Sequence, residues 1–104
     1  MDRSGIAAVA GMIAAALLAA PAAVAQTEQM QQTAQCVLQA TRDTRSPLAV
    51  QLIRTACNQN VVFTGELYQK QQAYNECLIQ NLSGAQSDAA AASIQSACRT
   101  AYPR

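Results

Sequence analysis

Cys36 and Cys57 are separated by the same interval as Cys77 and Cys98, and the second pair repeats the first after a shift of 41 residues. The same shift lays Gln39 on Gln80, Ser46 on Ser87, Ala49 on Ala90, Ile53 on Ile94 and Ala56 on Ala97. Self-similarity at a fixed offset marks an internal duplication. Any fold for this chain must therefore build the same small unit twice and place its two cysteines alike in each copy.

The second copy shows what that unit is. Tyr74 to Leu82 has the apolar spacing of one helix face, and Ser83-Gly84 then supplies a stop, glycine being the residue that most easily takes the left-handed closing conformation. Ser87 stands where an N-cap is needed, Asp88 puts negative charge in the first turn, and an alanine-rich run leads to Ile94, Ala97 and Cys98. The unit is a helix, a tight turn and a returning helix.

In the first copy, a helix from Gln26 to about Thr41 carries Met30, Ala34, Val37, Leu38 and Thr41 on one stripe. Arg42 to Arg45 connect it to a second helix, with Ser46 as cap and Pro47 at the first position, where a missing amide is harmless. That helix faces inward with Leu48, Ala49, Leu52, Ile53 and Ala56 and runs to about Cys57, Asn58-Gln59-Asn60 ending it. Val61-Val62-Phe63 is a linker over the junction, and Thr64 caps the third helix, which adds Leu67 and Tyr68.

Upstream, an uncharged run from Ile6 to Ala20 leads to Pro21-Ala22-Ala23-Val24-Ala25, the pattern of a secretory signal peptide over 1–25 cleaved before Gln26. Its apolar core is about 15 residues, short of the roughly 20 that span a bilayer. No cysteine follows the site, which argues against a lipid anchor. Residues 26–104 are then the mature domain, with hairpins at about 27–58 and 65–102. It keeps six basic and five acidic residues, Arg3 and Asp2 having gone from the seven and six of the full chain. Near-zero charge argues against nucleic-acid binding.

A domain this small, rich in alanine, buries little area and needs covalent help. Four cysteines in an exported chain imply two disulfides. Spacing permits three pairings. Within each copy the cysteines fall about 6 to 7 Å apart along the helix axes before the connection lifts them level, which favours Cys36 with Cys57 and Cys77 with Cys98. Cys36 with Cys98 plus Cys57 with Cys77 remains the main rival.

The stretch Tyr74-x-x-Cys77-x-x-x-Asn81-x-x-Gly84-x-x-Ser87-Asp88-x-Ala90-x-x-x-Ile94-x-x-Ala97-Cys98 resembles a motif of small exported bacterial proteins grouped as an uncharacterised four-cysteine family. It covers the second hairpin well and the first in outline, where Thr41, Asp43 and Pro47 stand for Leu82, Gly84 and Asp88. The resemblance implies an exported, disulfide-stapled helical protein and no particular activity.

The residues bound the chemistry. There is no histidine to serve as a base. Ser46 and Ser87 are explained as caps, and Glu28, Asp43, Glu66, Glu76 and Asp88 are scattered, so no catalytic constellation is visible. Zinc sites favour a close cysteine pair, whereas here 19 residues lie between even the nearest two, Cys57 and Cys77. No metal or cofactor is implied. Arg42 and Arg45, with Arg54, Arg99 and Arg104, could gather an anion, although helix C-termini attract such cations anyway. Among the aromatics, Tyr74 belongs to the core, while Phe63 and Tyr102 are the better contact residues.

The expectation is an all-α domain of two tandem disulfide-stapled helical hairpins, forming a small four-helix unit. Its expected role is a non-enzymatic binding or structural accessory protein of the bacterial envelope, periplasmic or secreted. The expected partner is another envelope or secreted protein, with no nucleic acid and no stable membrane anchor after signal cleavage. The alternative is an inhibitor of a secreted hydrolase or a thiol-active envelope stress protein. Membrane-surface attachment is opposed by a single lysine, Lys70, and glutamine-rich faces.

Overall fold

The computed structural model describes residues 27–63 and 69–103. The segment 1–25 expected as a signal peptide, its expected cleavage site, Thr64, Leu67, Tyr68 and Arg104 lie outside the described residues. Four helices are present among them: α1 over 27–40, α2 over Pro47–Val62, α3 over Gln69–Leu82 and α4 over Asp88–Ala101. They form two disulfide-stapled hairpins, α1 with α2 and α3 with α4. The bonds are Cys36–Cys57 and Cys77–Cys98, each with a Cα–Cα distance of 5.8 Å. The in-hairpin pairing is the one that lets each copy close independently.

Both returning helices start as their cap residues dictate. Ser46 Oγ accepts from Ala49 N and Ser87 Oγ from Ala90 N, satisfying one otherwise orphaned amide in each first turn. The ends differ. The linker reading of Val61-Val62-Phe63 is overturned, because α2 runs on to Val62 and Phe63 N donates to Gln59 O. Asn58-Gln59-Asn60 does not stop the helix. Two of those side chains are satisfied sideways by α3, which removes their competition with the backbone. By contrast α4 stops at Ala101, since Tyr102 precedes Pro103 and is pushed out of the helical region, to φ −131° and ψ 78°.

The turn after α3 is a second correction. Gly84 does not take the left-handed conformation, and a Cβ built there meets nothing within 4 Å. Ala85 N closes the turn onto Leu82 O at 3.0 Å, and Ala85 itself is buried, its carbonyl held by Arg45 N and Thr44 Oγ1 of the other hairpin. The neighbouring loop shapes this turn, so glycine is not required. Gly84→Ala should leave urea stability unchanged or raise it by roughly 0.5 kcal/mol through a less flexible unfolded chain; a loss above 1 kcal/mol would contradict this account.

The core is thin. Ile53, Tyr74, Leu78 and Leu82 supply its bulk, and Ala40, Ala49, Ala56, Ala85 and Ala91 let the helices approach closely around them. On α1 the inward residues are Cys36, Val37 and Ala40, while Met30, Ala34 and Leu38 of the predicted stripe are exposed. The Cys36–Cys57 bond fixes which side of α1 turns inward, and hydropathy spacing alone placed that side about one residue away. Ala97 is likewise exposed beside buried Cys98.

Between α2 and α3 a polar cluster lies beside the apolar contact. Asn75, 2% exposed, donates from Nδ2 to Gln59 Oε1 and to Asn60 Oδ1, both at 3.0 Å, and accepts from Gln71 Nε2 at 3.0 Å. Gln71 Nε2 also donates to Gln59 Oε1 at 3.2 Å. A buried amide is tolerable only when its partners are all in place. Asn75→Leu strands the Asn60 acceptor and leaves Gln59 Oε1 with Gln71 alone, and should lower stability by about 2 kcal/mol in urea unfolding.

Candidate functional site

Arg42 and Arg45 are exposed in the connection between α1 and α2. This connection pairs with the α3–α4 turn. Thr44 Oγ1 donates to Ala85 O at 2.5 Å, Arg45 N donates to the same carbonyl at 3.1 Å, and Gln86 Nε2 donates to Asp43 O at 3.0 Å. Thr44 and Ala85 are repeat equivalents, so the two copies meet at matching positions.

Asp88 ties this junction together in a way its sequence position did not reveal. Its Oδ1 accepts from Ser46 Oγ at 2.6 Å and from Leu48 N at 3.1 Å, so the first residue of α4 caps the N-terminus of α2. Pro47 occupies the equivalent position in α2 and has no amide to offer. Leu48 N and Ala49 N are the next free donors, and Asp88 and Ser46 take one each. The unlike residues Pro47 and Asp88 at equivalent positions were the visible signal of this specialisation.

The Ser46 hydroxyl, and next the Leu48 amide, hold the Asp88 carboxyl below its ordinary pKa, against a smaller opposing effect of desolvation. The sign follows from linkage. A carboxylate with a depressed folded pKa adds stability above its unfolded value, about 3.9, and loses it as pH falls through the lower folded value. Wild-type stability should therefore fall below about pH 4 more steeply than that of Asp88→Asn. Parallel pH profiles in chemical denaturation would remove Asp88 from this role.

Phe63 and Tyr102 sit elsewhere. They cap the C-termini of α2 and α4, both half-exposed, roughly 20 Å along those helices from the loop junction. The four residues singled out as a recognition surface thus divide between opposite ends. Tyr102 borders a shallow recess of about 230 Å³ with Lys70, Ala73 and Pro103. Phe63 closes a larger groove of about 690 Å³ between α1 and α2. Thr33 and Val37 line it from α1, and Gln51, Arg54, Thr55, Asn58 and Gln59 line it from α2. Among the described residues, Arg54 is the only charged one in that lining. Of this lining, sequence reading singles out Arg54 and Phe63 but not Thr33, Gln51 or Thr55, and places Asn58 at the end of α2.

In each disulfide one partner is half-buried, Cys36 or Cys77, and the other, Cys57 or Cys98, is at most 1% exposed. Among the described residues no cysteine is free, and no helix is long and apolar enough to cross a membrane.

A twice-repeated helical hairpin, each copy closed by its own disulfide and one of them carrying an open groove, defines a four-cysteine helical scaffold. The chain belongs to the four-cysteine protein VF_A0006-like family, which it matches over residues 13–102. Among curated proteins and among solved structures, none matches it.

Proposed function

We propose that this is an exported bacterial protein that works without catalysis, as a binding or structural accessory protein docking another envelope or secreted protein. The observation that carries this reading is the open groove between α1 and α2, closed at one end by the half-exposed Phe63, on a scaffold stapled in each half. A cleft of this size is within the range used for recognition. A half-exposed aromatic beside it is the usual kind of contact anchor.

Export is supported by the signal-like run over 1–25 and by two disulfides in a domain too small to do without them. The burial of Cys57 and Cys98 supports a structural role for the sulfurs over exchange chemistry. Intact mass of the protein from its host, alkylated without reduction, should begin at Gln26 and show no alkylated thiol. Retained residues 1–25 or modified cysteines would refute the exported, stapled form. For docking, photo-crosslinking residues placed one at a time at Phe63, Tyr102 and Gln80 of the chain in its host should give a discrete adduct at one or both aromatic positions. No adduct at any of the three would remove the binding reading.

A further inference from the structure

The side chains that line the groove between α1 and α2 are mostly hydrogen-bonding ones, and the fold does not use their polar ends. Thr41 Oγ1 and Thr100 Oγ1 each donate to the carbonyl four residues earlier in the chain, and Thr44 Oγ1 donates to Ala85 O. The groove threonines, Thr33 and Thr55, make no such bond among the described residues, and neither do the ends of Gln51, Arg54 and Asn58. Gln59 commits only its Oε1, to Gln71 and Asn75, so its Nε2 donors remain for the groove.

This chemistry narrows the occupant. Val37 and Phe63 are the apolar residues of the described lining, too few to seat a row of large apolar side chains. Side-chain amides carry the same donor and acceptor pair as a peptide unit. α2 already uses that match on its other side, where Gln59 and Asn60 are bonded to the amide of Asn75. A polypeptide can offer its backbone groups only where its own helix or sheet has not taken them, so the complementary occupant is an extended segment.

Spacing agrees with this. Gln51, Thr55 and Gln59 stand on one ridge of α2, about 6 Å apart along its axis. In an extended chain every second residue turns its N–H and C=O to the same edge, at intervals of about 6.7 Å. From Gln51 to Phe63 the track is about 18 Å long, room for about five extended residues.

We infer that the α1–α2 groove binds an extended segment of about five residues in a partner protein, held through its backbone by Gln51, Thr55, Asn58 and Gln59. Thr33 and Arg54 add donors for its carbonyls, and one of its side chains rests on Val37. This rests on the binding reading above and states what kind of segment the partner presents.

The test uses the mature chain with both disulfides intact, isotopically labelled, and a pentapeptide of alternating serine and valine, acetylated and amidated at its ends. Amide shifts should be confined to the groove, at residues such as Thr33, Val37, Thr55 and Asn58. N-methylating the three central residues of the peptide removes donors from both its edges and should weaken binding about tenfold, whereas alanine in place of its serines should change it by no more than about threefold. Gln51→Met with Thr55→Val, at two exposed positions, should also weaken binding about tenfold without lowering the melting temperature. No shifts at millimolar peptide, shifts scattered over other faces, or indifference to N-methylation or to the double substitution would overturn the inference. So would chitotetraose shifting the groove residues where the peptide shifts none, because the occupant would then be a glycan. A silent peptide together with a crosslinked partner at Phe63 or Tyr102 sinks the extended-segment inference and leaves the binding reading standing. A silent peptide with no crosslink sinks both.

Discussion

Removing the two disulfides together should leave the mature chain unfolded at 25 °C, with far-ultraviolet circular dichroism showing the loss of helix. Each bond joins cysteines 21 residues apart, and a loop of that length contributes about 3 kcal/mol by restricting the unfolded chain. Together they approach the whole stability of a small domain, commonly about 5 kcal/mol at its lower end. Removed singly, each should lower the melting temperature by roughly 12 to 24 °C.

The two single removals should also differ in kind. α1 contributes only Ala40 to the buried core, with Cys36 and Val37 packed against it, whereas α3 contributes Tyr74, Leu78 and Leu82. Replacing Cys36 and Cys57 by serine should therefore release amide protection over 31–40 under conditions where α3 stays protected. Replacing Cys77 and Cys98 should weaken the whole domain. Equal loss of protection in α1 and α3 from the first pair would show that α1 is held by more than its disulfide and this small contact set.

Ile53→Ala should cost about 3 kcal/mol in urea unfolding, the range for emptying a fully buried aliphatic site. Ile53 has no exposed surface, and the core around it is largely alanine, with few long side chains able to move into the space. Its repeat equivalent Ile94 is only half-buried, so Ile94→Ala should cost roughly 1 kcal/mol, in proportion to the smaller area it hides. The same substitution at the same repeat position thus reports how unequally the copies are packed. Equal losses would mean that the repeat is more symmetric than the burial of these two isoleucines indicates.

Much of this architecture was legible beforehand because it depends on local chemistry. Ser46, Pro47 and Ser87 start helices for reasons contained within four residues of each. The repeated spacing of the cysteines, with an antiparallel hairpin in mind, pointed to pairing within each copy. What was misread needed distant partners. Asn58-Gln59-Asn60 looks like a terminator until Asn75, 15 residues beyond Asn60, takes up two of the three side chains. Gly84 looks like a left-handed closure until Arg45 and Thr44 of the other hairpin grip the carbonyl of Ala85.

The sequence by itself determined the unit and its covalent frame: four amphipathic segments, their caps, their duplication and the cysteines that staple them. Cap chemistry and hydropathy period act over a few residues, and a disulfide needs only its two cysteines brought level. Tertiary structure alone decided how the copies meet and where they differ. Asp88 crosses to cap α2, the amide cluster joins α2 to α3, and the α1 positions equivalent to the buried Tyr74, Asn75, Leu78 and Leu82 stay half-buried or exposed. Those outcomes follow from which side chains become neighbours across the chain, and the sequence differences between the two hairpins acquire their consequences only once one has packed against the other.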